Sequence, residues 1–152
     1  MNIANWIIHR VTRRIPDFII GGEERPYLIR WWIIPRNRFF NVYLHCFKRS
    51  DDDRARHTHP WLFNASWLLR NRYREWIGDG PLDFIDRNEG AVRFRWGAAA
   101  HRVELTNGDC WTIFITGPRV REWGFLCGAR FVHWKKFTAT DNRGQIGKGC
   151  DA

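Results

Sequence analysis

The sequence predicts an all-β fold, a sandwich or barrel preceded by one short amphipathic helix. Roughly nine or ten short runs rich in aromatic and β-branched residues follow one another at regular spacing, punctuated by Gly, Pro, Asn and Asp. No strand–helix alternation runs through the chain, which argues against a βαβ architecture. Aromatic residues make up 16% of the 152 residues, a content that disordered chains lack and that can fill one sizeable core.

Residues 1–25 read as a helix and its lead-in. Ile3, Ile7, Val11 and Ile15 recur every fourth residue with Trp6 alongside, while Arg10, Arg13 and Arg14 lie largely off that stripe. The spacing predicts a helix over 3–15, ended by Pro16 and packed through its stripe on the adjacent domain. Residues 26–137 form the predicted barrel. The segments 26–35 and 38–49 read as a hairpin around Pro35-Arg36-Asn37. Alternation places Tyr43, His45 and Phe47 on one face and Val42, Leu44 and Cys46 on the other. Both faces are apolar, so this strand is expected to be central or to lie under the helix. Ser50-Asp51-Asp52-Asp53 lacks the ligand spacing, central Gly and terminal Glu of an EF-hand; it reads as a solvated turn paired with Arg54 and Arg56.

The next strands are expected at 57–61 and 63–73. After the Gly78–Pro81 loop come short strands at 83–86 and 91–96, around the turn Asn88-Glu89-Gly90. Further strands follow at 101–105 and 110–116, joined through Asn107-Gly108, a strong turn signal, and then at 122–126 and 129–134. From residue 138 the composition becomes polar and Gly-rich, and 138–152 read as a loose tail.

The chain is basic, with 25 Lys+Arg against 16 Asp+Glu and a formal net charge of +9. Such a charge favours acidic partners, but the arginines are dispersed and form no basic block, so dedicated nucleic-acid binding is not the favoured reading. The four cysteines (Cys46, Cys110, Cys127, Cys150) show no C-x-x-C spacing, which gives no support to a zinc ribbon or a thioredoxin-like motif. The N-terminal residues lack the apolar core and cleavage site of a signal peptide. No run approaches the ~20 apolar residues of a membrane span. A reducing, cytoplasmic setting with free thiols is the corresponding expectation.

Six histidines remain to be sorted. His9 and His133 have no neighbouring ligand types. His45, among aromatics, is either a satisfied core histidine or a pocket residue. His57-Thr58-His59 is different: two histidines one apart on a strand project from one face, and His101 on a later strand can join them. Three imidazoles suit a mononuclear Fe(II) or Zn(II) site, although an H-x-H pair can also form a hydrogen-bonded pocket without metal.

This pattern resembles the cupin superfamily, whose first motif reads G(X)5HXH(X)3-4E(X)6G. Asp51 stands at its first Gly, His57 and His59 at HXH, Asn64 at the Glu and Asn71 at the last Gly. The second motif, G(X)5PXG(X)2H(X)3N, meets Gly90, Trp96, Ala98, His101 and Leu105 at its fixed positions. The resemblance covers about Arg38 to Trp134. It implies a double-stranded β-helix, a jelly-roll barrel, with metal on His57, His59 and His101 and Asn64 as a weak fourth position.

Without the acidic ligand, the resemblance implies chemistry like that of the three-histidine thiol dioxygenases, or an isomerase, rather than oxalate-type chemistry. The expected ligand is a small organic acid or a similar anion. Trp61, Val103 and Leu105 are the expected pocket lining by alternation, with Trp67 and Tyr73 as walls and Arg56 at the mouth. A homodimer is compatible with the resemblance. A non-catalytic jelly-roll module binding a small molecule or a protein is the other reading.

Overall fold

The computed structural model describes residues 2–51, 55–142 and 144–152. The predicted turn at 50–53 therefore lies partly outside the described residues, at Asp52, Asp53 and its proposed partner Arg54.

The N-terminal helix, α1, spans Ile3–Val11. Asn2 caps it, its side chain accepting from the Asn5 N–H at 2.8 Å and satisfying one of the free first-turn donors. The helix ends before the predicted limit, with Thr12 as its C-cap. Its buried residues are Ala4 and Ile8, with Ile7 and Val11 partly buried beside them. Ile3 and Ile15 are 65% and 87% exposed. The packing stripe is thus rotated from the predicted one, because the shortened helix leans on the sheet through its small residue, Ala4.

The helix covers one face of a six-stranded antiparallel sheet. In chain order its strands are β1 (Phe18–Ile20), β2 (Leu28–Trp32), β3 (Asn41–Phe47), β5 (Phe63–Arg70), β8 (Val92–Trp96) and β10 (Cys110–Thr116), arranged in space as β1-β2-β3-β10-β5-β8. The predicted first hairpin forms, with Trp32 opposite Tyr43. β3 is central and buried on both faces, as its alternation predicts. Leu44 and Cys46 pack beneath the helix with Trp31, Leu69 and Ile113, while Tyr43, His45 and Phe47 face inward.

Two three-stranded sheets form the opposing layer. One holds β6 (Tyr73–Trp76) between β7 (Phe84–Arg87) and β9 (Arg102–Leu105). The other holds β11 (Gly124–Cys127) between β4 (Arg56–His57) and β12 (Arg130–His133). The single strand expected over 63–73 is in fact two. Asn71 adopts φ 66°, a left-handed conformation that Asn tolerates, and its Nδ2 donates to the Asp109 carbonyl. That corner sends the chain from the six-stranded sheet into the opposing layer. Likewise β7 and β8 do not pair with each other: β7 joins β6, and β8 joins β5.

The tail expected to be loose is tied down. A short helix, α2 (Trp134–Phe137), follows β12. Thr138 bridges Ile146, and a 3-10 turn spans Gly149–Asp151. Cys127 and Cys150 form a disulfide, and Cys150 and Ala152 pack near Phe137 and Val132. The free-thiol expectation thus holds only for Cys46 and Cys110, both buried. Sequence spacing missed the bridge because its partners meet only after β11, β12 and α2 have folded. Among the described residues no helix is long and apolar enough to cross a membrane.

Candidate metal centre

His57 and His101 face each other across a backbone bridge in which each N–H donates to the other's carbonyl, at 2.8 and 3.0 Å. Two residues on, the His59 N–H donates to Gly97 O at 2.8 Å, and the Gly97 N–H to Leu62 O at 3.0 Å. Gly97 is required here by close approach: a Cβ would lie 1.8 Å from the Trp61 carbonyl oxygen. The three-histidine arrangement is therefore set by peptide hydrogen bonds before any side chain is considered.

One nitrogen from each of His57, His59 and His101 lies within 4.8 Å of the others. His59 Nε2 and His101 Nε2 are 2.9 Å apart. Two imidazole nitrogens each about 2.0–2.1 Å from one ion would show that separation at an angle near ~90°. The donor set therefore fits a divalent ion. Behind the cluster stand two carboxylates. Asp51 Oδ2 lies 3.6 Å from His57 Nδ1, and the fully buried Glu75 places Oε1 3.3 Å from His101 Nδ1. Neither contact closes as a hydrogen bond in this structure, but a carboxylate beside the outer ring nitrogen favours the tautomer that keeps its proton there, leaving Nε2 for the centre.

Glu75 is also the hub of a buried ion cluster. Its carboxylate contacts Arg95 and accepts from Arg87 Nε at 2.9 Å. In the sequence Glu75 lies beyond the Asn71 turn, away from the histidine motif. The turn is what returns it, because β6 crosses to the opposing layer with Glu75 facing inward, opposite Val103 of β9. Glu104 is directed elsewhere, accepting from Trp76 Nε1 at 2.7 Å.

Burial holds all three imidazoles below their ordinary pKa. For His57 the Asp51 carboxylate partly opposes the shift. His59 and His101 lie well below the ordinary value, burial being reinforced by the neighbouring histidines and by Arg95. Neutral imidazole is the form that ligates metal.

The cluster opens into a cavity of about 310 Å³. Trp61 and Val103 line it, as alternation predicts, and Trp61 stacks on His59 at 5.4 Å between centroids. The other predicted lining residues do not. Leu105 and Tyr73 sit in a core cluster with Leu68, Val103 and Cys110, and Trp67 packs on the helix side of the six-stranded sheet. Arg56, adjacent to His57 and so on the other face, donates to both oxygens of Asp79. Asn64 is fully buried but does not line the cavity. Its Oδ1 accepts from Arg95 at 3.2 Å, its neighbour across the strand pair, which commits that oxygen to the ion cluster behind His101.

Arg30, Phe114, Trp123 and His45 also line the cavity. His45 is the one of these that sequence reasoning held open, and it proves to be a pocket residue. Of the remaining histidines, His9 is exposed beside Arg13. His133 contacts Glu122 at 2.8 Å and caps α2.

No family model matches the sequence, and no curated protein matches it. Solved structures do resemble the fold. An RmlC-like cupin protein from Ralstonia eutropha is 13% identical, with 77% of this chain and 71% of that one aligned at a TM-score of 0.54. A conserved protein with a double-stranded β-helix domain from Klebsiella pneumoniae is also 13% identical, over 76% and 92% of the two chains, at 0.54. Hydroxypropylphosphonic acid epoxidase from S. wedmorenis is 15% identical over 68% of this chain, at 0.51; this chain spans 57% of its length. At these identities the likeness establishes the fold, a cupin-type double-stranded β-helix of antiparallel sheets with one short N-terminal helix.

Proposed function

We propose that this cupin-fold chain is a mononuclear non-haem metalloprotein that holds Fe(II) or Zn(II) on His57, His59 and His101, and that it acts on a small organic acid in a three-histidine, dioxygenase-like manner. The observation that carries this reading is the convergence of three neutral imidazoles, His101 buried and His57 and His59 partly so, at one end of a largely apolar cavity. The resemblance to an epoxidase described in its Fe(II) form, at 16% identity and a TM-score of 0.52, is compatible with it.

Each residue has a distinct task. His57, His59 and His101 bind the ion, and Asp51 and Glu75 orient the outer two of these rings. Trp61, Phe114 and Trp123 wall the cavity and exclude water from it. When bound, a divalent ion polarises an oxygen donor of the substrate and, as iron, supplies redox chemistry toward dioxygen. Three neutral ligands leave the ion's charge uncompensated, so an anionic ligand is favoured.

Elemental analysis tests the reading. Purified or reconstituted protein is expected to hold close to one first-row metal per chain, with His57→Ala and His101→Ala holding far less. Iron-loaded protein should consume oxygen when an accepted organic acid is added. Failure to retain metal after reconstitution would overturn the metalloenzyme and leave the non-catalytic binding module, the reading that draws on the neutral Asn64 in the acidic slot.

A further inference from the structure

Arg30 is a partly buried cation on the wall of the cavity. It projects from β2 opposite His45 on β3, and its Nε donates to His45 Nε2 at 2.8 Å. The guanidinium lies over the Tyr43 ring, 4.7 Å from the centroid. Burial pulls its pKa down to about 10. Yet none of the residues lining the cavity is acidic, and Arg30 makes no ion pair among the described residues, whereas Arg87 and Arg95 share a buried glutamate. A charge drawn away from water is ordinarily paired, and no counterion for Arg30 is supplied among the described residues.

His45 explains how such a group is held. It stacks between Tyr43 and Phe114, with centroids at 5.6 and 5.0 Å, and burial keeps it neutral. Its Nε2 must be an acceptor, since it takes the Arg30 Nε proton. His45 is thus a positioning residue that fixes the guanidinium by its inner nitrogen and leaves the terminal nitrogens for a ligand. The same Phe114 ring lies 6.3 Å from His59, centroid to centroid.

We infer that Arg30 is the carboxylate-recognition residue of this cavity. The ligand is a small organic acid whose carboxylate meets the terminal guanidinium nitrogens while a second donor group, a few bonds away, reaches the three-histidine centre. A planar guanidinium matches a planar carboxylate, and a single cation in an otherwise apolar wall balances a monoanion rather than a phosphate dianion. The second half of this inference rests on the metal reading; the Arg30 subsite does not.

Calorimetric titration of chelator-treated protein with butyrate and with its neutral isostere butanamide tests the subsite without metal. Butyrate is expected to bind at least tenfold tighter than butanamide. Arg30→Gln should abolish that preference with little change for butanamide, and Arg30→Lys, which keeps the charge but not the fork, should retain part of it. If Arg30→Gln does not fold, the wild-type comparison together with Arg30→Lys decides. Equal affinity for acid and amide, or undiminished butyrate preference in Arg30→Gln, would overturn the inference. Zinc-loaded protein should keep the butyrate preference and bind 3-hydroxybutyrate tighter still. A preference seen only in zinc-loaded protein would place the anion on the ion and overturn the subsite, whereas a protein that never loads zinc but prefers butyrate would refute the metal reading alone.

Discussion

Replacing Glu75 by glutamine tests whether the buried carboxylate, and not only the histidines, builds this centre. Glu75 is wholly buried and faces three close cationic or protonatable partners, Arg95, Arg87 at 2.9 Å and His101 at 3.3 Å, with the more exposed Arg93 farther off at 3.9 Å. The substitution keeps an acceptor oxygen and the volume but removes the charge. Arg87 can recover some hydration, since its side chain is 18% exposed. Arg95, at 4%, cannot. Breaking a buried pair by removing one partner costs about 3–5 kcal/mol; with one guanidinium partly rescued and the amide still accepting, about 3 kcal/mol is expected. Loss of the carboxylate behind a ligating histidine should also lower metal affinity about 10–100-fold. Urea unfolding of metal-free protein reads the first effect, and competition with a zinc chelator reads the second. Wild-type zinc affinity with a stability change within about 0.5 kcal/mol would refute both the hub and its orienting role.

Gly97→Ala should destabilise the protein by at least about 2 kcal/mol, because its Cβ would meet the Trp61 carbonyl, which is backbone and cannot swing aside; an unchanged urea midpoint would contradict the close approach. The stability of metal-free protein should fall as pH drops below about 6.5. Folding lowers the proton affinity of His45, His59 and His101 well below its ordinary value and that of His57 to a lesser degree, so the unfolded state binds more protons, at up to about 1.4 kcal/mol per pH unit for each; a flat profile from pH 7.5 to 5.5 would refute it. Burial pushes the Cys46 and Cys110 thiols up to about 12, so native, unreduced protein should resist iodoacetamide. Mass spectrometry should find no adducts before denaturation, two after it, and four once the Cys127–Cys150 bridge is also reduced.

The histidine triad was legible because it depends on local rules: period two within one strand, and a partner on a strand bounded by turn residues. The two faces of β3 were legible for the same reason. Glu75 was hidden because its placement depends on the corner at Asn71, which one run of strand-like residues conceals; the left-handed tolerance of that Asn was the available signal. Arg30 was hidden because an arginine within a strand reads as solvent-facing. Its neighbours in alternation, Leu28 and Trp32, were the hint that its face is covered. The offset of the helix stripe and the disulfide depended on packing partners distant in sequence, which periodicity does not report.

The backbone bridge between His57 and His101 has a consequence for how an ion would be acquired. His59 and His101 are 42 residues apart, and gathering such a loop costs about 3 kcal/mol in chain entropy. Here the peptide groups of the neighbouring pair have already closed it, so binding draws on none of the ion's own free energy for that closure. Such a chain folds first and is metallated afterwards, and chelation should empty the centre while leaving the barrel standing.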